Sequence, residues 1–144
     1  MTMVNDSERE KIHRAAELLL NSKSAVALTG AGVSTESGIP DFRGEGGIWE
    51  KYKADIYGNI DGFLRDPSKF WDMAQKVAPT LFTAEPNPGH IALAELESMD
   101  ILKGIITQNI DELHQKAGAV LVYEVHGNIK VDQVDKILSS LEVT

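Results

Sequence analysis

The chain has 144 residues, the size of one domain rather than two. Its 42% hydrophobic and 25% charged residues suit a packed core and argue against a disordered chain. A net charge of -8 disfavours binding to a phosphate backbone, so no nucleic-acid partner is expected; the lack of cysteine excludes disulfides, thiol nucleophiles and thiolate zinc sites.

The first ten residues are polar and hold no apolar stretch of the kind a signal peptide needs. No apolar run approaches the roughly 20 residues of a membrane span. A cytoplasmic protein, without membrane contact, is expected. Ser7 and Glu10 have capping-box spacing and predict a helix over 7–21, with Ile12, Ala15, Ala16, Leu19 and Leu20 at helical intervals. Ala25 to Thr29 is a short apolar run of the kind that forms a strand buried on both faces. The glycine-rich stretch Gly30 to Gly47 reads as a loop, with one helical turn near Ser34 to Ser37. Residues 48–83 are rich in aromatics and predict two or three short helices, one starting after Asp66-Pro67.

A further helix is predicted from Gly89 to Met99, then a buried strand from Ile101 to Thr107. A short helix over Ile110 to Ala117 is stopped by Gly118. Val120 to Val125 is a third strand, rich in β-branched residues. Val131, Val134, Ile137, Leu138 and Leu141 fit one face of a last helix. Strands alternating with helices predict an α/β fold with a parallel sheet.

The residues just past each strand point to a site. The first strand leads into Gly30-Ala31-Gly32, then Ser34, Asp41 and Arg43. The second leads into Gln108-Asn109-Ile110-Asp111, and the third into His126-Gly127. Ligands bind beyond the carboxyl ends of strands in an open parallel sheet, so these residues predict one crevice. Gly30 and Gly32 lack Cβ atoms and let a phosphate approach the backbone. Thr35 stands where the third glycine of G-x-G-x-x-G belongs, and a plain tight turn explains the loop about equally well. His126 has the pKa range for proton transfer near neutrality, although a lone histidine also serves to cap a strand. Asn109 and Asp111 also suit helix capping. His13 lies on a polar helix face, His90 starts a helix, and His114 lies three residues after Asp111, where it could act as structural support. Asp111 and His114 form one isolated pair, so metal binding is not expected. No G-x-S-x-G elbow marks a serine hydrolase.

Together the segments are specific. Gly30-Ala31-Gly32-Val33-Ser34-Thr35-Glu36-Ser37-Gly38-Ile39-Pro40-Asp41-Phe42-Arg43-Gly44 resembles the signature of the sirtuins, NAD-dependent protein deacylases. Thr107 to His114 resembles their second motif, and Val125-His126-Gly127 the third. The likeness runs from about Ser7 to Asn128.

The resemblance implies a partial Rossmann-like sheet of about three strands with a small inserted helical region. It implies one partial dinucleotide-binding domain over 1–144, with the insertion near 45–88 and an atypical tail near 131–144. It implies NAD as cosubstrate and an acyl-lysine protein or peptide as partner. Gly30, Ala31, Gly32 and Ser34 would cradle the diphosphate. Asp41, Phe42 and Arg43 would lie on a loop over the cofactor. Gln108 and Asn109 would hold the nicotinamide ribose and a water, while Ile110 and Asp111 bind the nicotinamide amide. His126 would be the general base, with Asn109 as the second catalytic residue. The acyl oxygen attacks the ribose carbon, nicotinamide leaves, and acyl-ADP-ribose and free lysine result.

Sirtuins continue with two Cys-x-x-Cys pairs for a structural zinc and a second half of the sheet. This chain has no cysteine and departs from the pattern after Val131. No zinc is expected on it. Three functions are consistent with this pattern: a deacylase, a non-catalytic remnant with a partial NAD site or a partner-binding role, and an ADP-ribosyltransferase that shares the nicotinamide-leaving step. Short acyl chains are the default substrate, since no Tyr-x-x-Arg pair is present between Asp66 and Pro86 to anchor an acidic one. Loss of a fourth strand would leave the first strand with an unpaired, uncharged edge and a tendency to self-associate.

Overall fold

The computed structural model describes residues 5–128, so the helix expected over 131–141 lies outside the described residues. Helix α1 spans Asp6–Leu20. Its capping box is formed by Asn5 and Glu8, not by Ser7 and Glu10. Asn5 is the stronger choice because its extended backbone lets the side-chain oxygen accept the Glu8 N–H while Glu8 reaches back. None of the α1 side chains is buried among the described residues, and its apolar positions Ile12 and Leu20 face outward.

Strand β1 (Ala25–Thr29) leads into a 3-10 helix over Ala31–Ser37, which closes on Gly38 in the left-handed region. The insertion contains four helices, one more than the upper expectation: α2 (Ile48–Lys51), α3 (Ala54–Tyr57), α4 (Ile60–Arg65) and α5 (Pro67–Thr83). Edge-on aromatic pairs tie it together, with Tyr52 and Tyr57 at 5.2 Å and Phe63 and Phe70 at 5.5 Å. Helix α6 (Pro88–Ser98) starts with Asn87 as its cap and Pro88 in its first turn, where a missing N–H costs nothing.

Strand β2 (Leu102–Thr107), the short helix α7 (Leu113–Lys116) and strand β3 (Val122–Glu124) complete the described fold. The sheet is fully parallel in the order β1-β2-β3. β3 is shorter than expected at both ends. α7 starts three residues later than expected, because the Asp111 carboxylate accepts the Leu113 N–H and Glu112 takes a left-handed backbone, φ +58°.

One face of the sheet is covered by α6. Ala94 packs there with Ile105, Ala119, Ala27 and Val122. A second small core joins Ile39, Ala84 and Leu113 beneath the loop and the insertion. Ile105 and Leu113 are completely buried, which stabilises the fold by about 1.5–3 kcal/mol each. The β1–β2 ladder is irregular at one place: Ala25 pairs with Leu102, but Ala27 pairs with Ile105. The extra β2 residue makes a bulge at Gly104, whose φ is +152°. A Cβ there would lie 3.0 Å from the Leu121 carbonyl oxygen, so glycine is required. Beyond the bulge, Leu28 pairs with Ile106 and Thr29 with Thr107, and the carboxyl ends of the strands are aligned.

Candidate functional site

The aligned strand ends carry the polar residues. Thr29 and Thr107, the last residues of β1 and β2, join through their hydroxyls at 2.9 Å. Thr107 Oγ1 also accepts the backbone N–H of Asn109 at 3.0 Å. The chain therefore turns sharply after β2 and sends the Asn109 side chain inward. Asn109 Nδ2 donates to Ser34 Oγ at 3.0 Å and to Asp111 Oδ2 at 3.3 Å. Ser34 Oγ donates to Asp111 Oδ2 at 2.7 Å. Ser34, Asn109 and Asp111 are all buried. The end of β2 and the 3-10 helix after β1 thus meet in one polar cluster.

Two histidines complete this cluster. His90 and His114 are fully buried with ring centres 4.9 Å apart. The backbone N–H of Asn87 donates to His90 Nδ1 at 3.3 Å, so the His90 proton sits on Nε2 and faces Ser34 Oγ at 3.4 Å. Thr29 donates its hydroxyl proton to Thr107, so His114 Nε2–H is the donor to Thr29 Oγ1 at 2.9 Å. Burial disfavours the charged form of both rings. Burial lowers the His90 pKa against the attraction of Asp111. Burial likewise lowers that of His114, the neighbouring His90 adds to the effect, and Asp111 opposes it.

Asn87 braces this arrangement from below. Its side chain accepts from the N–H groups of Gly89 and His90 and donates to the Val33 carbonyl at 2.7 Å and to Ser37 Oγ at 3.1 Å. The 3-10 helix is therefore locked onto the start of α6. Asn87 is not among the residues the sequence singles out, and His90 and His114 are peripheral there. The available signal is the capping pattern Asn87-Pro88-Gly89-His90, which fixes the His90 ring relative to its helix start.

His126 stands apart from that cluster and is exposed beyond β3. Its Nδ1 lies 3.0 Å from the Gln108 carbonyl oxygen. A carbonyl only accepts, so Nδ1 carries a proton, and in the neutral ring the lone pair is on Nε2. The Gln108 backbone is itself held by donation to the Thr29 carbonyl. Gln108 is exposed and Ile110 half-buried beside the cluster.

The remaining candidates lie on the loop. Gly30 and Ala31 are half-exposed and Gly32 is exposed at the start of the 3-10 helix; a Cβ built on Gly30 or Gly32 meets nothing within 4 Å. The protein's own packing does not demand glycine there, which fits a backbone left bare for a phosphate group. Asp41 does not join the buried cluster. Its carboxylate accepts the Gly44 N–H at 2.6 Å and its carbonyl accepts the Ile48 N–H, which shapes the loop. Phe42 packs on Trp49, ring centres 5.3 Å apart, and stays half-exposed at 46%. Arg43 is exposed. A cavity of about 210 Å³ lies beneath this loop, lined by Thr35, Ile39, Asp41 and Glu45 among others. Among the described residues, no group of three or more metal-ligating side chains occurs, and no helix is long and apolar enough to cross a membrane.

A family model described as "Sir2 family" matches residues 30–138. The chain belongs to the Sir2 family. It is 54% identical over 127 residues to NAD-dependent protein deacylase 2 of Archaeoglobus fulgidus, covering 88% of this chain and 50% of that protein. It is 52% identical over 117 residues to an NAD-dependent protein deacetylase of Sulfurisphaera tokodaii, covering 81% of this chain and 46% of the relative. A solved Sir2 enzyme superposes with a TM-score of 0.78 at 52% identity, over 84% of this chain and 48% of the other. A Sir2 structure solved with a p53 peptide and NAD+ superposes at 0.74 and 38% identity, over 92% of this chain and 56% of the other. The chain spans about half the length of the curated relatives it matches. The partial Rossmann-like fold and the family reading agree with these findings.

Proposed function

We propose that this Sir2-family chain carries the nicotinamide–ribose half of the site of an NAD-dependent protein-lysine deacylase. The single observation that carries the reading is the exposed His126 with its Nδ1 proton directed to the Gln108 carbonyl. An imidazole fixed in that tautomer offers its Nε2 lone pair as a base. NAD, when bound, supplies the nicotinamide leaving group and the ADP-ribose acceptor of the acyl group.

The residues divide the work. Gly30, Ala31 and Gly32 leave the backbone open to the diphosphate, with Ser34 behind them in the buried cluster. Asp41, Phe42 and Arg43 lie on the loop that covers the site, and the half-exposed Phe42 ring shields the reacting sugar from water. Gln108 and Asn109 position the ribose, with Asn109 held in place by Ser34 and Asp111. Ile110 and Asp111 meet the nicotinamide amide. His126 Nε2 takes the proton of a ribose hydroxyl once the acyl oxygen has displaced nicotinamide. The relatives named as NAD-dependent deacylases and the Sir2 structure with peptide and NAD+ support this reading.

The half-length match favours a second reading for the isolated polypeptide, a non-catalytic form with a partial NAD site. Release of nicotinamide from NAD, with and without an acetyl-lysine peptide, separates the readings. Peptide-dependent release identifies the deacylase. Release that tracks ADP-ribose on a protein without acetyl-lysine identifies an ADP-ribosyltransferase. No release, with NAD still binding, identifies the non-catalytic form.

A further inference from the structure

A carboxylate stands at each end of β3. Just before the strand, Glu97 of α6 accepts the backbone N–H groups of Val120 and Leu121, both at 2.7 Å. At the other end Glu124, the last residue of β3, is half-buried and accepts two side-chain amides. Gln115 Nε2 donates to its Oε1 at 2.7 Å, and Asn128 Nδ2 donates to its Oε2 at 2.6 Å.

The second pair of bonds encloses His126. Glu124 lies two residues before it and Asn128 two residues after, so the Asn128 bond closes a short segment with His126 at its centre. The backbone adds one long bond over the same turn, from the Gly127 N–H to the Glu124 carbonyl at 3.3 Å, with Gly127 in the left-handed region at φ +73°. The chain leaves β2 at Val125, whose N–H donates to the Thr107 carbonyl. Among the described residues the His126 ring then makes one hydrogen bond, to the Gln108 carbonyl. That acceptor is fixed by β1, whereas the donor sits on a turn held chiefly by Glu124.

The Gln115 bond supplies the common frame. Gln115 belongs to α7, whose first N–H is held by Asp111 and whose His114 donates to Thr29. Glu124 therefore ties the His126 turn to the same buried cluster that fixes Ser34 and Asn109. A carboxylate suits this position because it offers acceptors only, one oxygen to each amide, and such bonds are short and strong.

We infer that Glu124 is the positioning residue of His126: its carboxylate holds the turn that carries the imidazole against the Gln108 carbonyl. The consequence for turnover rests on the deacylase reading; the placement of the ring does not. Glu97 provides the contrast, since it also binds two N–H groups beside β3 but lies at the far end from His126.

Nitrogen NMR of the whole chain tests the inference, at a pH above the ring's own titration as found from the same spectra. The parent should carry the proton of the neutral His126 ring on Nδ1. Glu124→Ala and Asn128→Ala should both convert the ring to a mixture of the two tautomers. Glu97→Ala should lower the urea midpoint and leave the His126 tautomer as in the parent. In peptide-dependent nicotinamide release, Glu124→Ala should lower kcat about tenfold or more with KM for NAD changed by less than about twofold. Two results overturn the inference. One is a parent-like tautomer in both Glu124→Ala and Asn128→Ala, with Asn128→Ala deciding alone if Glu124→Ala does not fold. The other is an equal tautomer change in Glu97→Ala, which would reduce Glu124 to closing the strand. A His126→Ala variant that releases nicotinamide as the parent does would overturn the deacylase reading and leave the spectroscopic result standing.

Discussion

The His126 ring and the Gln108 carbonyl, from two different strand ends, form one 3.0 Å hydrogen bond that decides which imidazole nitrogen is free. The bond crosses between the segments beyond β2 and β3, so the imidazole is aligned by the sheet itself. Nitrogen NMR should find a proton on His126 Nδ1, and a ring protonated at Nε2 alone would contradict this geometry. His126→Ala should reduce peptide-dependent nicotinamide release by about 10²–10⁴-fold. Because the side chain is exposed, its loss should leave the urea midpoint within about 0.5 kcal/mol of the parent.

Ser34 should behave differently. Its hydroxyl is buried, donates to Asp111 and accepts from Asn109. Ser34→Ala leaves buried polar groups without their partner and should destabilise the fold by about 1–3 kcal/mol. Urea unfolding measures this; a change under half a kilocalorie would show that water replaces the hydroxyl.

Asn87→Ala removes both the α6 cap and the brace on Val33. The cap alone is worth about 0.5–2 kcal/mol. Hydrogen exchange should speed up in two separate places, the first turn of α6 and the 3-10 helix over Ala31–Ser37. Faster exchange in α6 alone would show that the brace contributes nothing.

Stability should fall on mild acidification. His90 and His114 have lowered pKa values in the folded state, so the unfolded chain binds more protons as the pH drops below the ordinary histidine value of 6.5. The stabilisation is present above that value and is lost as the pH falls. Urea midpoints at pH 7.5 and 5.5 should differ in that direction, and His114→Gln should shrink the difference. An equal midpoint at both pH values would mean the rings accept protons without disturbing the cluster.

Much of the fold was legible because its signals are local. The apolar runs at 25–29 and 101–107 predicted β1 and β2 to within one residue, and glycine and proline marked the breaks around the insertion. Convergence of Ser34, Asn109 and Asp111 was readable from the residues at the end of each strand. The misses are long-range or depend on side-chain geometry. His90 and His114 lie 24 positions apart, and only the tertiary fold brings their rings together, tilted and 4.9 Å apart, beside Ser34 and Thr29. The late start of α7 comes from the Asp111 side chain outcompeting the helix for the Leu113 N–H. The bond from the Gly44 N–H to the Asp41 carboxylate, which shapes the loop, has no spacing signal of its own. The apolar face of α1 was readable, but its pattern alone does not say what it packs against.

The bulge at Gly104 acts on the site without touching it. It takes up the odd residue between β1 and β2 near the start of the strands, so the mismatch never reaches Thr29 and Thr107. The pair works like a vernier, coarse at one end and aligned at the other. An added residue in the Met99 to Ile101 turn should therefore be absorbed at the bulge, costing stability while leaving the two hydroxyls within bonding distance. Gly104→Val removes that slack and should transmit the misfit down the ladder. The geometry of the strand ends is thereby insulated from length variation on the far side of the sheet.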